Sequence, residues 1–549
     1  MAALPLDYQA LGFQYEGATR RAVDGLSLRV EPGEWLMVCG ASGSGKTSLV
    51  RAAIGLIPHF YPGVMDGQVS VGGLDTRSHA VYELFQKAAL VFQNPEAQLF
   101  NSSVENEIAY TLEPLGLSRP EMRERIARAS DDANVAQLLP RAPHSLSGGE
   151  QQRVIIAAAL ALQPPMLILD EPFAHLDGES AAQLRATLRR LNGNGTTVMV
   201  VEHRLHQLLA DANRIALLHR GQLAFSGPPR AALASEIETL GVGLPFAARL
   251  FRERRWDFVP LDALEASQWL QRTGYLRDWA PMAPDAMSLP APRADAEPVL
   301  TLDGVSFAHQ RLPILTNVTF RVGRGESVAL LGRNGAGKTT LLKMLAGLHR
   351  PEQGRIVVGG MDAGRESPAT LARQAGLVFQ NANNQLFMPS VREEIEIGAR
   401  RLKVFDPAWQ SEVVAMLGLG SLLERTPFRL SEGEKKRVAI ASVLAMRPLL
   451  IALDEPTVGQ DESTRRALIA LLRQLVERGH SMLVATHDLE FAEAVARRWL
   501  ILEDGRITAD GEPDAIMADE GLMRSAALAV TDRFKLNRAV ASEQSRAVT

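Results

Sequence analysis

The sequence contains a single cysteine, Cys39, among its 549 residues. One thiol excludes an internal disulfide framework and any zinc site built from several cysteines. The histidines show no i, i+4 pair of the kind that ligates a metal ion. Because Cys39 lies in an apolar run, we expect it to be a small core residue.

Long hydrophobic runs and an excess of positive charge are also absent. The longest apolar pieces, such as residues 154–162, fall well short of the roughly 18 residues that span a bilayer. The first residues show no basic region followed by an apolar segment, so we expect a protein that is cytosolic or bound peripherally to a membrane. Lys and Arg number 59 against 63 Asp and Glu, a net charge of -4, which argues against a nucleic-acid partner. The length predicts two or more domains.

A phosphate-loop pattern, G-x-x-x-x-G-K-[ST], follows the apolar run Trp35–Cys39. It comprises Gly40, Ala41, Ser42, Gly43, Ser44, Gly45, Lys46 and Thr47. A strand that leads through a glycine-rich turn into a helix directs backbone N–H groups at one anion, here a nucleoside triphosphate. Lys46 supplies a charge near the β- and γ-phosphates, and the Thr47 hydroxyl is placed to hold Mg²⁺.

The whole pattern occurs twice. The second loop follows Ser327–Leu331 and comprises Gly332, Arg333, Asn334, Gly335, Ala336, Gly337, Lys338 and Thr339. Val-Phe-Gln-Asn at 91–94 returns at 378–381, Leu-Ser-Gly-Gly-Glu at 146–150 returns as Leu-Ser-Glu-Gly-Glu at 430–434, and Leu-Asp-Glu-Pro at 169–172 returns at 453–456. Two homologous nucleotide domains therefore share one polypeptide.

Short aliphatic runs separated by helical patterns predict buried parallel strands in each half. The runs are 35–39, 166–169 and 198–201, with counterparts at 327–331, 449–453 and 482–485. We predict a first nucleotide domain at 1–235, an extension and proline-rich linker at 236–298, a second nucleotide domain at 299–517, and a tail at 518–549 whose end frays.

Acidic and polar side chains follow these strands, where phosphate sites form. Asp170 and Asp454 can hold Mg²⁺ through water, and Glu171 and Glu455 can orient the attacking water. An isolated Asp-Glu pair would be an ordinary helix cap, but this one recurs after both phosphate loops. The residues expected at the γ-phosphate are His203 and His487, and those expected to complete the Mg²⁺ and water shell are Gln93 and Gln380.

These motifs together resemble the ATPase subunits of ABC transporters over nearly all of both halves. The resemblance implies an α/β fold with two tandem P-loop ABC ATPase domains, each a mixed core sheet with flanking helices and a helical signature subdomain. It also implies ATP and Mg²⁺ as cofactors and head-to-tail pairing of the two halves. One site would then combine Lys46, Gln93, Asp170, Glu171 and His203 with Ser431 and Gly433, and the other Lys338, Gln380, Asp454, Glu455 and His487 with Ser147, Gly148 and Gly149.

Two residues depart from the family pattern. Glu432 replaces the first signature glycine and brings a carboxylate near a triphosphate, where like charge is unfavourable. The adenine-stacking aromatic resembles Tyr15 in the first half, whereas His309 stands at the matching position of the second half. A histidine still stacks, with less area. We therefore expect two hydrolytic sites of unequal strength.

Three segments resemble the ATPases of energy-coupling-factor (ECF) importers, namely residues 93–100, 380–387 and 240–250. The Leu-Phe pairs in the first two could instead pack within the helical subdomain. The resemblance implies two partners, a transmembrane coupling subunit and a substrate-binding membrane subunit. It places the protein peripherally on the cytoplasmic face of the cell membrane and leaves the cargo open among vitamins, vitamin precursors and metal ions.

Two other classes remain as alternatives. One is an ordinary ABC importer ATPase for a peptide or sugar. The other is a soluble twin-ABC ATPase acting on ribosomes, which would need a basic linker to reach RNA. Residues 236–298 contain seven Arg, no Lys and ten Asp and Glu, which is the wrong sign of charge for that task.

Overall fold

The computed structural model describes residues 4–93, 98–146, 148–174, 176–203, 205, 208–275, 279–291 and 297–548. The chain forms two compact units. The first comprises residues 1–279 with 461–463 and 538–549, and the second comprises 280–460 and 464–537.

The elements of the first part of the chain are, in order, β1 (Leu6–Tyr15), β2 (Val23–Val30), β3 (Trp35–Cys39), α1 (Lys46–Ala53), α2 (Leu56–His59), β4 (Gly63–Val71), β5 (Leu74–Asp75), α3 (Val81–Phe85), β6 (Ala88–Val91), α4 (Val104–Leu112), α5 (Arg119–Asp132), α6 (Gly148–Ala161), β7 (Met166–Asp170), α7 (Gly178–Gly193), β8 (Thr197–Val201), β9 (Arg214–His219), β10 (Gln222–Gly227), α8 (Pro229–Ala234), α9 (Phe246–Glu253) and α10 (Ala263–Thr273).

The remaining elements are β11 (Pro298–His309), β12 (Leu312–Gly323), β13 (Ser327–Leu331), α11 (Lys338–Leu345), β14 (Gln353–Val358), β15 (Met361–Asp362), α12 (Pro368–Leu371), β16 (Ala375–Val378), α13 (Val391–Arg401), α14 (Pro407–Met416), α15 (Glu432–Leu444), β17 (Leu450–Asp454), α16 (Glu462–Glu477), β18 (Ser481–Thr486), α17 (Leu489–Val495), β19 (Arg498–Glu503), β20 (Arg506–Gly511), α18 (Pro513–Ala518), α19 (Glu520–Ser525) and α20 (Asp532–Val548).

Each unit contains the same two sheets. The first unit has a four-stranded antiparallel sheet of order β2-β1-β4-β5 and a six-stranded sheet of order β10-β9-β3-β8-β7-β6. In the six-stranded sheet, β9, β3, β8, β7 and β6 run parallel and β10 runs antiparallel to β9. The second unit repeats this order as β20-β19-β13-β18-β17-β16. The predicted α/β architecture with a mixed sheet is confirmed.

The central strands are mostly apolar because helices or strands cover both faces of the sheet. All five residues of β3 are buried. Leu36 and Val38 pack in a core with β1, β2 and α1. Trp35, Met37 and Cys39 pack on the opposite face with α4, α6 and β7. A one-residue change of register would exchange these two sets.

The segment after the first unit's sheets forms a small aromatic cluster. Phe251 is fully buried. Trp269 stacks on Tyr275 at 5.6 Å and on Phe258 at 6.0 Å between ring centroids, and Trp256 lies 4.6 Å from Phe251. These rings join α9 to α10. No helix within the described ranges is both long enough and apolar enough to cross a lipid bilayer.

The end of the chain forms a helix. The tail has some helical pattern in the sequence, and α20 extends over Asp532–Val548; fraying of its last residues stays a prediction. Its beginning is held by Arg533, whose guanidinium donates to Glu493 Oε1 at 2.6 and 3.0 Å and also pairs with Asp514. Both Arg533 and Glu493 are buried, and burial raises the pKa of Glu493 although Arg533 opposes that shift.

We predict that Arg533→Ala destabilises the second unit by about 3–5 kcal/mol, because it leaves the Glu493 carboxylate buried without its cation. The matched control is Lys535→Ala on the same helix, which removes a half-exposed partner of Asp532 and should change stability by less than about 1 kcal/mol. Urea unfolding of both variants measures the difference. Equal unfolding midpoints would contradict a stabilising role for Arg533.

Candidate functional site

In both units the phosphate loop joins the central strand to the first helix of the core. Residues 40–45 connect β3 to α1, and residues 332–337 connect β13 to α11. The last loop glycine has no substitute, because Gly45 has φ +103° and a Cβ there would lie 2.4 Å from the Ala22 carbonyl oxygen. Gly337 repeats this conformation at φ +104°. Ser44 Oγ is buried in the first loop and has no hydrogen-bond partner among the described residues.

The loop lysines lie inside the turns that their own backbones form. Lys46 Nζ donates to the carbonyls of Gly40 at 2.8 Å and Ala41 at 2.9 Å. Lys338 Nζ donates likewise to Gly332 at 2.6 Å and Arg333 at 3.2 Å. Burial lowers the pKa of Lys46, and the nearby carboxylate of Glu171 opposes that shift. Each ammonium is thus held by two carbonyl oxygens of its own phosphate loop.

The acids lie at the carboxyl ends of β7 and β17. Burial, and next the charge of Glu171, raise the pKa of Asp170 to about 6. Burial also raises the pKa of Asp454, which accepts a hydrogen bond from Thr339 Oγ1 at 2.8 Å. Asp170 is likewise hydrogen-bonded to Thr47. The structure therefore brings the predicted loop hydroxyl and strand-end acid together in each unit.

The two strand-end aspartates fit a hydrated Mg²⁺ ion. Within the described part of the chain, Oδ1 of Asp170 and Oδ1 of Asp454 are buried and have no hydrogen-bond partner. A buried carboxylate oxygen without a donor is costly unless a cation or water satisfies it. Hard oxygen ligands and retained water are what Mg²⁺ prefers. The residues present thus suit the cofactor predicted from the sequence.

The two glutamates have left-handed backbones, with φ +50° at Glu171 and +41° at Glu455. Such conformations cost energy in residues other than glycine and cluster at functional sites. Around Glu171, Gln93 Nε2 donates to Oε2 at 2.6 Å and His203 Nε2 pairs with Oε1. His203 Nδ1 donates to the Gly40 carbonyl at 3.1 Å, so one imidazole connects the phosphate loop to the glutamate.

Glu455 has different neighbours. Thr486 Oγ1 donates to its Oε2 at 3.1 Å, while His487 Nδ1 and Lys338 Nζ lie 3.0 and 3.5 Å from its Oε1. Burial raises the pKa of Glu455, but His487 and Lys338 outweigh burial and lower it to about 2. This carboxylate is therefore ionised across the physiological range.

Sequence reasoning missed three residues at these sites. Glu202 is buried after β8 and accepts from the backbone N–H of Phe173 and His203. Thr486, the last residue of β18, occupies the equivalent place. Lys436, on α15, is buried and donates to the carbonyls of Phe379 at 2.7 Å and Gln380 at 3.0 Å. Burial lowers its pKa to about 8. Lys436 comes two residues after the signature, and no local pattern distinguishes it from Lys435.

The signature segments begin helices in both units. Ser147 lies outside the described residues, and Gly148 and Gly149 open α6. Ser431 caps α15 through a reciprocal pair of hydrogen bonds with Glu434, and Gly433 lies in the first turn.

Glu432, the residue in place of the first signature glycine, lies in the first turn of α15. Its side chain is 63% exposed and pairs with Lys435 at 2.8 Å. The Glu432 carboxylate is therefore solvated, and the ammonium of Lys435 partly offsets its charge.

The aromatic positions differ as the sequence indicated. Tyr15 ends β1, and its hydroxyl contacts Ser48 Oγ at 3.0 Å. His309 ends β11. In the antiparallel sheets, Phe13 pairs with Val23 in the first unit and Phe307 pairs with Leu315 in the second. Tyr15 and His309 each come two residues after that phenylalanine, so the strand pairing supports their correspondence.

Comparison with known proteins identifies the family. The family model described as ABC transporter matches residues 23–174 and 315–458, which together cover more than half of the chain. The protein belongs to the ABC transporter ATP-binding family and carries two copies of its ATP-binding domain.

Full-length relatives share this organisation. An ABC transporter ATP-binding protein of Streptomyces avermitilis is 36% identical over 92% of this chain and 93% of its own length. One of Methanosarcina mazei is 31% identical over 95% of this chain and 91% of its own length.

A solved structure shares the twin-domain fold. It is the archaeal ribosome recycling factor aABCE1, in complex with ribosomal stalk protein aP1, with TM-score 0.59 and 21% identity over 93% of this chain and 92% of that chain. At that identity the likeness concerns the fold alone.

The single thiol offers a test of the packing beneath the phosphate loop. Cys39 is buried, and burial raises its pKa. We predict no reaction with a thiol reagent in the native protein at pH 8 and one equivalent after unfolding. Ser102→Cys adds an exposed thiol as the positive control. Rapid native labelling of Cys39 would contradict the described β3 packing.

Proposed function

We propose that this protein is the ATP-hydrolysing subunit of a membrane importer, of the ECF type that takes up a vitamin, vitamin precursor or metal ion. The observation that carries the proposal is the complete set of groups in both units. Each has a phosphate loop, a strand-end aspartate with an unsatisfied buried oxygen, a glutamate and a histidine. An inactive site would lack at least one of these.

The proposed roles follow from the chemistry of each group. Thr47 and Asp170, with Gln93, would hold Mg²⁺ in the first site, and Thr339 and Asp454, with Gln380, in the second. Bound Mg²⁺ would neutralise charge that develops on the phosphates. Glu171 and Glu455 would orient the attacking water and accept its proton, and His203 and His487 would contact the γ-phosphate.

The family resemblance supports pairing of the two units around ATP. In this proposal Ser431 and Gly433 complete the site of Lys46, and Ser147, Gly148 and Gly149 complete that of Lys338. Tyr15 and His309 would stack on adenine. Because both units share one polypeptide, each meets the other at an effective concentration in the millimolar range. Preferential binding of ATP to the paired state would then drive the motion.

We propose the domain boundaries predicted above, with 1–235 and 299–517 as the two ATPase domains. Residues 236–298 would act as extension and linker and 518–549 as tail. The protein would lie on the cytoplasmic face of the membrane.

We predict that Glu171→Gln and Glu455→Gln each lower steady-state ATP turnover, by unequal factors. The glutamates have different neighbours, since Gln93 donates to Glu171 while Thr486 donates to Glu455, so their loss should affect the two sites differently. Glu424→Gln, at an exposed carboxylate that pairs with Arg392, is the control and should retain full turnover. Identical losses at Glu171 and Glu455 would contradict the asymmetry.

A matched pair of exposed phenylalanines supports a membrane partner. Phe100 and Phe387 are each 65% exposed and follow the Gln93 and Gln380 loops. The backbone N–H groups of these residues donate to buried carboxylates, Phe100 to Glu107 at 3.0 Å and Phe387 to Glu394 at 2.8 Å. In each case a buried acid holds the backbone of a phenylalanine whose ring is exposed to solvent. An exposed apolar side chain on a well-held backbone suits a docking surface.

This also corrects the packing alternative for these phenylalanines. The leucine of each pair packs as that alternative expects: Leu386 is buried, and Leu99 packs partly against the core of the first unit. The phenylalanine of each pair is mostly exposed to solvent.

We predict that Phe100→Ser and Phe387→Ser reduce recovery of the protein with membranes by about tenfold when combined, while nucleotide binding is retained. Phe60→Ser removes an equally exposed ring elsewhere, 68% exposed, and should not change recovery. Affinity purification from detergent-solubilised membranes, with identification of the bound proteins, gives the measurement. Recovery of ribosomes in place of a multispanning protein would favour the soluble alternative.

A further inference from the structure

The helix that follows the second signature carries a buried cation. The Lys436 side chain reaches from α15 to the loop after β16 and donates to two consecutive backbone carbonyls, those of Phe379 and Gln380. Its charge also acts on Asp454 and Glu455. Buried lysines are uncommon unless paired, and hydrogen bonds from a charged donor are about twice as strong as neutral ones.

The first unit has no such cation at the equivalent position. Counting six residues from the leucine that opens each signature, Lys436 corresponds to Gln152. Gln152 is also buried, at 1% exposure, but its Nε2 has no hydrogen-bond partner among the described residues. The two units therefore use different side chains at one structural position, and among the described residues a lysine joins the helix to the glutamine loop in the second unit alone.

The difference changes the charge around the strand-end acids. Asp454 interacts with two lysines, Lys338 and Lys436. Its counterpart Asp170 interacts with one lysine, Lys46, and with His203. A fixed ammonium at Lys436 offsets carboxylate charge before any ligand enters.

We propose that Lys436 is a positioning residue of the second unit, which holds the Gln380 loop against α15 and supplies a fixed counter-charge for Asp454 and Glu455. It acts through the backbone of Gln380 and does not touch nucleotide. The first unit, with Gln152, positions its glutamine loop without this contact. The kinetic part of the proposal rests on the proposed ATPase function, and the structural part does not.

The structural test is amide hydrogen exchange of the nucleotide-free full-length protein. Lys436→Gln, which copies the first unit, should accelerate exchange in peptides covering residues 379–386 by about tenfold, because it removes two charge-assisted hydrogen bonds. Lys436→Arg keeps the charge and donors and should restore protection. Lys435→Gln, which loses the ion pair with the exposed Glu432 and has no contact with the glutamine loop among the described hydrogen bonds, is the control and should leave this loop unchanged.

The kinetic test uses a Glu171→Gln background, in which remaining turnover reports the second site. There Lys436→Gln should lower kcat about tenfold with little change in KM for ATP, since Gln380 acts on the attacking water and not on adenine. Unchanged exchange in residues 379–386 would overturn the proposal. So would loss of protection throughout the second unit, which would indicate a purely structural role. Altered loop exchange in a protein without ATPase activity would support the positioning role and refute the proposed function.

Discussion

The structure depends on bringing opposite charges together at the buried carboxyl edge of a parallel sheet. Lys46, Asp170 and Glu171 are all less than 10% exposed, and an isolated charge at that depth would be prohibitively costly. Parallel β3, β7 and β8 end side by side, so the lysine, the acids and the histidine converge from distant parts of the chain. The apolar strands are long enough to bury this edge, and the charges compensate one another.

That constraint explains what the sequence could predict. Because successive parallel strands end at one edge, the repeated loop, Asp-Glu pair and histidine were sufficient to place Lys46, Asp170 and His203 near one another. The same reasoning located all six predicted central strands. The tail shows some helical pattern in the sequence, but the buried Arg533–Glu493 pair that holds the start of α20 could not be predicted from it.

Side-chain partners that depend on tertiary contacts could not be predicted. The sequence around Lys436 does not distinguish it from its neighbour Lys435, which pairs with the exposed Glu432 instead of a backbone carbonyl. Glu202 follows a strand as ordinary polar residues do, and only the folded chain shows it holding the turn at Phe173. The ion pair between Glu432 and Lys435 likewise depends on side-chain directions that the sequence does not give.

The two units share a backbone but not an electrostatic environment, and this difference has a physical consequence for how each binds a cation. Burial raises the pKa of the strand-end aspartate in both units, but in the second unit two lysines, Lys338 and Lys436, act on Asp454. In the first unit one lysine, Lys46, acts on Asp170 together with His203, so more of the charge compensation must come from what binds there. Two sites with the same topology can therefore differ in how strongly the binding of the metal ion and the binding of the nucleotide depend on each other. A duplication retained within one polypeptide allows that divergence, because the fold is fixed by the strands while charge varies at positions such as Gln152 and Lys436.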